Sequence, residues 1–163
     1  MGMNEPVLDF SSLYTQYARD IRRFALFLSG NSATADDIVS ETFIRVWGAR
    51  ARVDLTTVKA YLFTIARNVF LQQRRYSTRH VELAETVSEE PDPGRQAEAR
   101  KKLKAVLDAL QELPEIDRAA VLMRAEDGLS YDEIAAALGI SGGAVRVKVH
   151  RARLFLARRT ENS

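Results

Sequence analysis

A chain of 163 residues has room for one medium domain or two small helical ones, and a hydrophobic content of 46% excludes wholesale disorder. There is no cysteine, no run near the roughly 18 uninterrupted apolar residues of a membrane span, and no charged-then-apolar leader. Disulfides, thiolate metal sites, membrane insertion and secretion are therefore not expected, nor is myristoylation, because Pro6 stands where that motif takes Ser or Thr. A reducing cytoplasm is the expected compartment.

In chain order, the first half reads as three helices. Phe10, Leu13, Tyr17, Ile21, Phe24 and Leu28 recur at three- and four-residue steps and form one apolar stripe. Gly30-Asn31-Ser32 ends that helix, and Ser32 is expected to cap the next. The second helix carries Ile38, Val39, Phe43, Val46 and Trp47, with Asp36 and Asp37 placed in its first turn. The third starts near Thr56 or Thr57 and runs to about Arg75, with Val58, Tyr61, Leu62, Ile65, Ala66, Val69 and Phe70 on its stripe. Strand alternation is nowhere sustained, so the class is all-α.

From Ser77 to about Gln96 apolar residues thin out, acids accumulate, and Pro91 and Pro93 appear: a flexible linker. Its acids serve plain solubility, keep the segment off DNA, or imitate DNA inside a basic channel. The second half is helical again. Leu103, Val106, Leu107 and Leu110 mark a helix that stops before Leu113-Pro114, and Pro114 suits the start of the next, which runs to Gly128. Ser130 and Glu133 form a capping box for a short helix closed by Gly139, and Ser141 caps a last helix with Val145, Val149, Ala152 and Leu156 on one side. The resulting organisation is two small helical domains, residues 1–76 and 100–163, joined by a linker at 77–99.

The net charge is only +2, yet the signs are sorted. Lys59, Arg67, Arg74, Arg75 and Arg79 lie in one stretch free of acids, and Arg146, Lys148, Arg151, Arg153, Arg158 and Arg159 in another. Two unmixed basic segments point to two contacts with a polyanion. The second coincides with Ser130 to Leu156, a short capped helix, a tight turn at Gly139 and a longer basic helix, which is the pattern of a helix-turn-helix. Nothing in the chain supplies a nucleophile–base pair, a metal cluster or a phosphate loop, and His80 and His150 are too far apart in sequence to suggest a metal pair. No enzyme, cofactor, metal site or small-molecule substrate is expected.

Arg19 to Ala25, Ala35 to Trp47 and Ala60 to Asn68 with Arg74-Arg75 closely resemble region two of bacterial sigma factors. Leu113-Pro-Glu, Arg118, Gly128 to Ala135 and Val145 to Arg153 resemble region four. With only these two domains and a short linker, the chain resembles the extracytoplasmic-function (ECF) subfamily over about residues 10–76 and 100–157. The resemblance implies a partner, core RNA polymerase, met through its β′ clamp helices and β flap. In region two the implied docking residues are Asp36, Asp37, Glu41, Thr42, Arg45 and Trp47, with Trp47 as an exposed anchor unless it is simply core. It implies minus-ten recognition by Asn68, which would hold a flipped base, and by Arg67, Arg74 and Arg75, which would hold phosphates. Tyr61 and Phe63 can stack on bases, although Tyr61 lies on the apolar stripe and suits the core better. Minus-thirty-five readers are implied at Ser141, Arg146, Lys148, His150, Arg151 and Arg153, an arginine there gripping guanine. Ala144 and Val147 depart from the usual pattern, and Gly142-Gly143 weakens the start of the reading helix, which bears on fine specificity. An anti-sigma factor that clamps both domains is a further implied partner. The competing reading is a stand-alone dimeric repressor on the same helix-turn-helix, which would need a dimerisation helix or effector pocket.

Overall fold

The computed structural model describes residues 9–49, 58–77 and 94–161. It is all-α, with no strand among the described residues: α1 Phe10–Ser29, α2 Ser32–Gly48, α3 Val58–Ser77, α4 Arg95–Glu112, α5 Glu115–Ala125, α6 Tyr131–Leu138 and α7 Gly142–Glu161. None of these helices is long and apolar enough to cross a membrane.

Asp9 caps α1 by accepting from the Ser11 amide, and Gly30 ends it at φ 70° with its amide bonded to the Leu26 carbonyl. The cap of α2 is Asn31, whose side chain accepts from the Thr34 amide at 2.8 Å, and not the expected Ser32. Ser32 is the first helical residue, and Asp36 and Asp37, the fifth and sixth, lie in the second turn and not in the expected first. Asp36 pairs there with Arg22 of α1 at 2.8 Å. At the other end of the linker, α4 begins at Arg95, inside the stretch assigned to the linker. Residues 95–104 are all exposed there, and most are strong helix formers that extend the helix beyond its packed part.

α1, α2 and α3 pack together, as do α4 to α7, and α1 and α3 also meet α4, α5 and α6. One continuous cluster of buried residues therefore runs from Ile21, Phe24, Leu62 and Phe63 through Leu110, Ala119 and Met123 to Ile134, Val145 and Val149. The sequence left the arrangement of the two halves open. Here they are closed on each other.

Polar groups tie the seam. Arg118 is buried and donates to the carbonyls of Leu110 (2.8 Å) and Leu113 (3.0 Å) in its own half, and to Leu28 (2.6 Å) at the end of α1. Gln111 donates to Phe27 and Leu28, so two side chains from the second half satisfy carbonyls that the end of α1 leaves without helical partners. Burial pulls the Arg118 guanidinium below its ordinary pKa, while Glu115 opposes the shift. Arg23 of α1 reaches Asp127 at 3.3 Å and Glu126 at 3.7 Å.

Candidate nucleic-acid interface

The helix-turn-helix is built as its residue types require. Ser130 Oγ accepts from the Glu133 amide at 3.0 Å, and Glu133 returns a bond from the Ser130 amide at 2.9 Å, completing the capping box. Gly139 turns the chain at φ 67°, a conformation that a residue with a Cβ adopts only with strain. Ser141 then accepts from the Ala144 amide at 3.1 Å and caps α7. Val145, Val149 and Ala152 are buried against the domain, which leaves Arg146, Val147, His150, Arg151 and Arg153 exposed along α7.

Two of the expected readers have partners inside the chain. Lys148 is half-buried and meets Asp117 of α5 at 3.2 Å, and Arg151 lies 3.6 Å from the other oxygen of the same carboxylate. Arg146 is held differently: its guanidinium lies 4.9 Å from the Tyr131 ring centre, and Arg124 lies 4.4 Å from the same ring. The sequence reading assigned no partner role to Asp117, and it met Tyr131 only as part of the Gly128 to Ala135 motif. Nothing in the sequence sets Asp117 apart from the neighbouring acids Glu112, Glu115 and Glu126, because the i, i+3 spacing that reveals partners within a helix says nothing across helices.

On α3, Asn68 is exposed, as are Arg74 and Arg75 in the last turn. The two aromatics change places relative to expectation. Phe63 is fully buried, edge-on to Phe24 with ring centres 4.9 Å apart, so it is core and unavailable for stacking. Tyr61, the better core candidate by periodicity, keeps part of its surface open. Arg67 is no free phosphate ligand here. It makes two hydrogen bonds, of 2.7 and 2.8 Å, to the carboxylate of Glu115, and the two side chains are only 12% and 11% exposed.

The outer face of α2 combines exposed acids with exposed apolar side chains. Asp36 and Asp37 are exposed, and Arg45 bridges Glu41 on its own helix (3.1 Å) and Gln72 on α3 (2.5 Å). Trp47 is 49% exposed, its ring edge-on to Phe10 at 5.0 Å, so it is not a core residue. Ile44 and Tyr14 are also exposed, and Tyr14 packs on Phe43. They extend the apolar face beyond the predicted set. Ile44 was detectable as an apolar residue off the buried stripe. Thr42 must be corrected: it is fully buried and its hydroxyl has no hydrogen-bond partner, because it sits on the inward side of α2 between Val39 and Val46.

These helices match known families part by part. Residues 13–80 match the model of Sigma-70 region 2 and residues 103–156 that of Sigma-70 region 4. The chain is 36% identical over 146 residues to the ECF RNA polymerase sigma factor EcfG of Rhodopseudomonas palustris, covering 84% of this chain and 77% of that one. The chain belongs to the ECF RNA polymerase sigma factors. The ECF sigma factor SigL of Mycobacterium tuberculosis is 34% identical, with 86% of this chain and 82% of that one covered. Against the ECF sigma factor SigE of Mycolicibacterium smegmatis the identity is 38%, but the matched part is 88% of this chain and only 58% of that longer protein. Among solved structures, the sigma factor RpoE of Bartonella quintana, in complex with the anti-sigma factor NepR, superposes with a TM-score of 0.79 at 29% identity, over 94% of this chain and 97% of that one. CnrH, in complex with the cytosolic domain of CnrY, gives 0.70 at 26% identity, over 94% and 88%. In ECF sigma factor terms, α2 and α3 belong to the region-two match and α6–α7 to the region-four match.

Proposed function

We propose that this chain binds core RNA polymerase through the outer face of α2 and directs initiation at promoters that it reads twice, minus-ten DNA with α3 and minus-thirty-five DNA with α7. The carrying observation is that one chain presents a helix-turn-helix with an exposed basic face together with an exposed aromatic-and-acid surface around Trp47, Ile44, Asp36 and Asp37. A bare repressor has no use for the second feature. Residues 1–76 act as region two and 100–163 as region four. Asn68, Arg74 and Arg75 serve the minus-ten strand, joined by Arg67 once it is released from Glu115. Ser141, Arg146, Lys148, His150, Arg151 and Arg153 serve the minus-thirty-five duplex.

The chain works in the cytoplasm, performs no catalysis itself, and is held inactive by an anti-sigma factor. The likeness to a sigma factor solved with an anti-sigma factor supports the last point. The test is transcription in vitro with bacterial core polymerase and a library of promoter fragments. Start sites that share two motifs at fixed spacing, and that disappear with Asn68→Ala or Arg151→Ala, are the expected outcome. A protein that shifts duplex DNA yet gives the polymerase no new start sites would be a repressor instead.

A further inference from the structure

The cations of α7 lean to its flanks and leave an apolar side chain at its crest. Lys148 and Arg151 turn towards Asp117 of α5, at 3.2 and 3.6 Å, and Arg146 lies over the Tyr131 ring of α6. Val145, Val149 and Ala152 bury the face opposite the crest. At about 100° per residue, Val147 stands roughly 200° round the helix from Val145, and it is 56% exposed. His150 and Arg151, three and four residues on, are its neighbours on the outer face.

Val147 lies in the second turn of α7, within the part of a reading helix that meets base edges. The turn before it is slim. Gly142, Gly143 and Ala144 carry at most a methyl group, and a Cβ at either glycine would meet nothing within 4 Å, so packing of the fold does not call for glycine there. A slim first turn lets the helix seat deep in a major groove, which brings Val147 to base edges rather than to phosphates. A valine has no hydrogen bond to give or take. Its two methyls, on a β-branched side chain stiff at χ1, match the apolar group that the major groove displays, the C5 methyl of thymine.

We infer that Val147 is a specificity-determining residue of the minus-thirty-five contact and reads the C5 methyl of a thymine on either strand. Arg146 and Arg151 grip polar base edges, and Val147 supplies the apolar contact between them. Cytosine in that place carries only hydrogen at C5 and forfeits the contact. The inference rests on the proposed reading of that duplex by α7.

The test uses the full chain with core polymerase on the promoter mapped by transcription. Each thymine of the minus-thirty-five element is replaced in turn by uracil, which lacks only the methyl, and the two templates compete for the enzyme. At one position the uracil template is expected to bind about fourfold more weakly, the worth of one buried methyl. With Val147→Ala the two templates should bind alike, while Val147→Thr, which keeps one methyl of the branched pair, should retain part of the preference. Val147 is exposed, so neither variant disturbs the core. A wild-type enzyme indifferent to uracil at every position, or a minus-thirty-five element without thymine on either strand, overturns the inference. So does a uracil penalty that Val147→Ala leaves undiminished, since another residue would then read the methyl. Wild-type protein that gives no initiation at all overturns the proposed function instead.

Discussion

Arg118 donates a 2.6 Å hydrogen bond to the carbonyl of Leu28, a residue ninety positions away in the chain. The guanidinium is buried with carbonyls as its hydrogen-bond partners, and its other donors close the turn between α4 and α5 through Leu110 and Leu113. One side chain therefore organises a turn in the second half and caps a helix in the first. Arg118→Met leaves three buried carbonyls without this donor and is expected to cost about 3 kcal/mol in denaturant unfolding. Arg118→Lys should recover only part of that, because an ammonium lacks the planar fork. A loss under 1 kcal/mol for the methionine variant would show that water replaces the guanidinium freely.

Asp127 gives the fold a pH dependence. Burial pushes its carboxyl up to about 7, with Asp20 adding to the rise and Arg23 and Lys59 opposing it, while one of its oxygens has no partner. Its pKa is thus raised above the unfolded value near 4. Between those values the folded chain keeps a proton that the unfolded chain has released. The stability from this group is full below about pH 4 and is lost as pH rises through 7, by up to about 1.4 kcal/mol per pH unit. Melting curves from pH 4.5 to 8 should separate wild type from Asp127→Asn by this slope. Parallel curves would assign no such role to the group.

Trp47→Ala tests the docking face. The ring is half-exposed and rests on Phe10, so its loss should cost the fold little. An anchor at the centre of an interface is worth about 2 kcal/mol or more, hence an affinity for core polymerase about 30-fold weaker. The measurement is titration of labelled protein with core enzyme, with unfolding followed in parallel. Equal affinity would move the docking surface elsewhere.

Glycines 30 and 139 share a left-handed backbone but not their surroundings. A Cβ at Gly139 meets nothing within 4 Å, whereas one at Gly30 lies 3.0 Å from Gln111 Nε2. Gly139→Ala should cost about 1 kcal/mol, the conformational term alone. Gly30→Ala should cost more, because Gln111 must also give up its place on α1. Denaturation midpoints at constant slope measure the difference.

Tyr131 holds the guanidinium of Arg146, a residue proposed above to read minus-thirty-five DNA, 4.9 Å from its ring centre. Replacing it by Leu removes the ring while keeping an apolar side chain, and should reduce discrimination between the promoter and a variant altered at the base that Arg146 reads, by roughly threefold for a cation–π contact of this kind. Tyr131→Phe keeps the ring and should restore discrimination. If Leu and Phe behave alike, the contact has no bearing on readout.

What local chemistry controls was legible in the sequence. The seven helices of the described residues, the capping box at Ser130, the turns at Gly30 and Gly139 and the basic face of α7 all follow from periodicity, caps and backbone freedom acting over a few residues. The outward or inward aim of single side chains was less secure. Phe63 and Tyr61 are two residues apart on α3, yet only the packing of Phe24 against that helix decides which of them is core. Thr42 reads as surface by type and lies in the interior. Beyond reach altogether was the seam, because a linker of polar residues imposes no docking geometry and attraction between Arg67 and Glu115 leaves no periodic trace across 48 positions of chain. Sequence by itself determined the helices and the chemistry that they offer to DNA. Tertiary structure decided which of those groups are free to offer it, because burial and cross-helix pairing depend on distances that only the folded chain brings about.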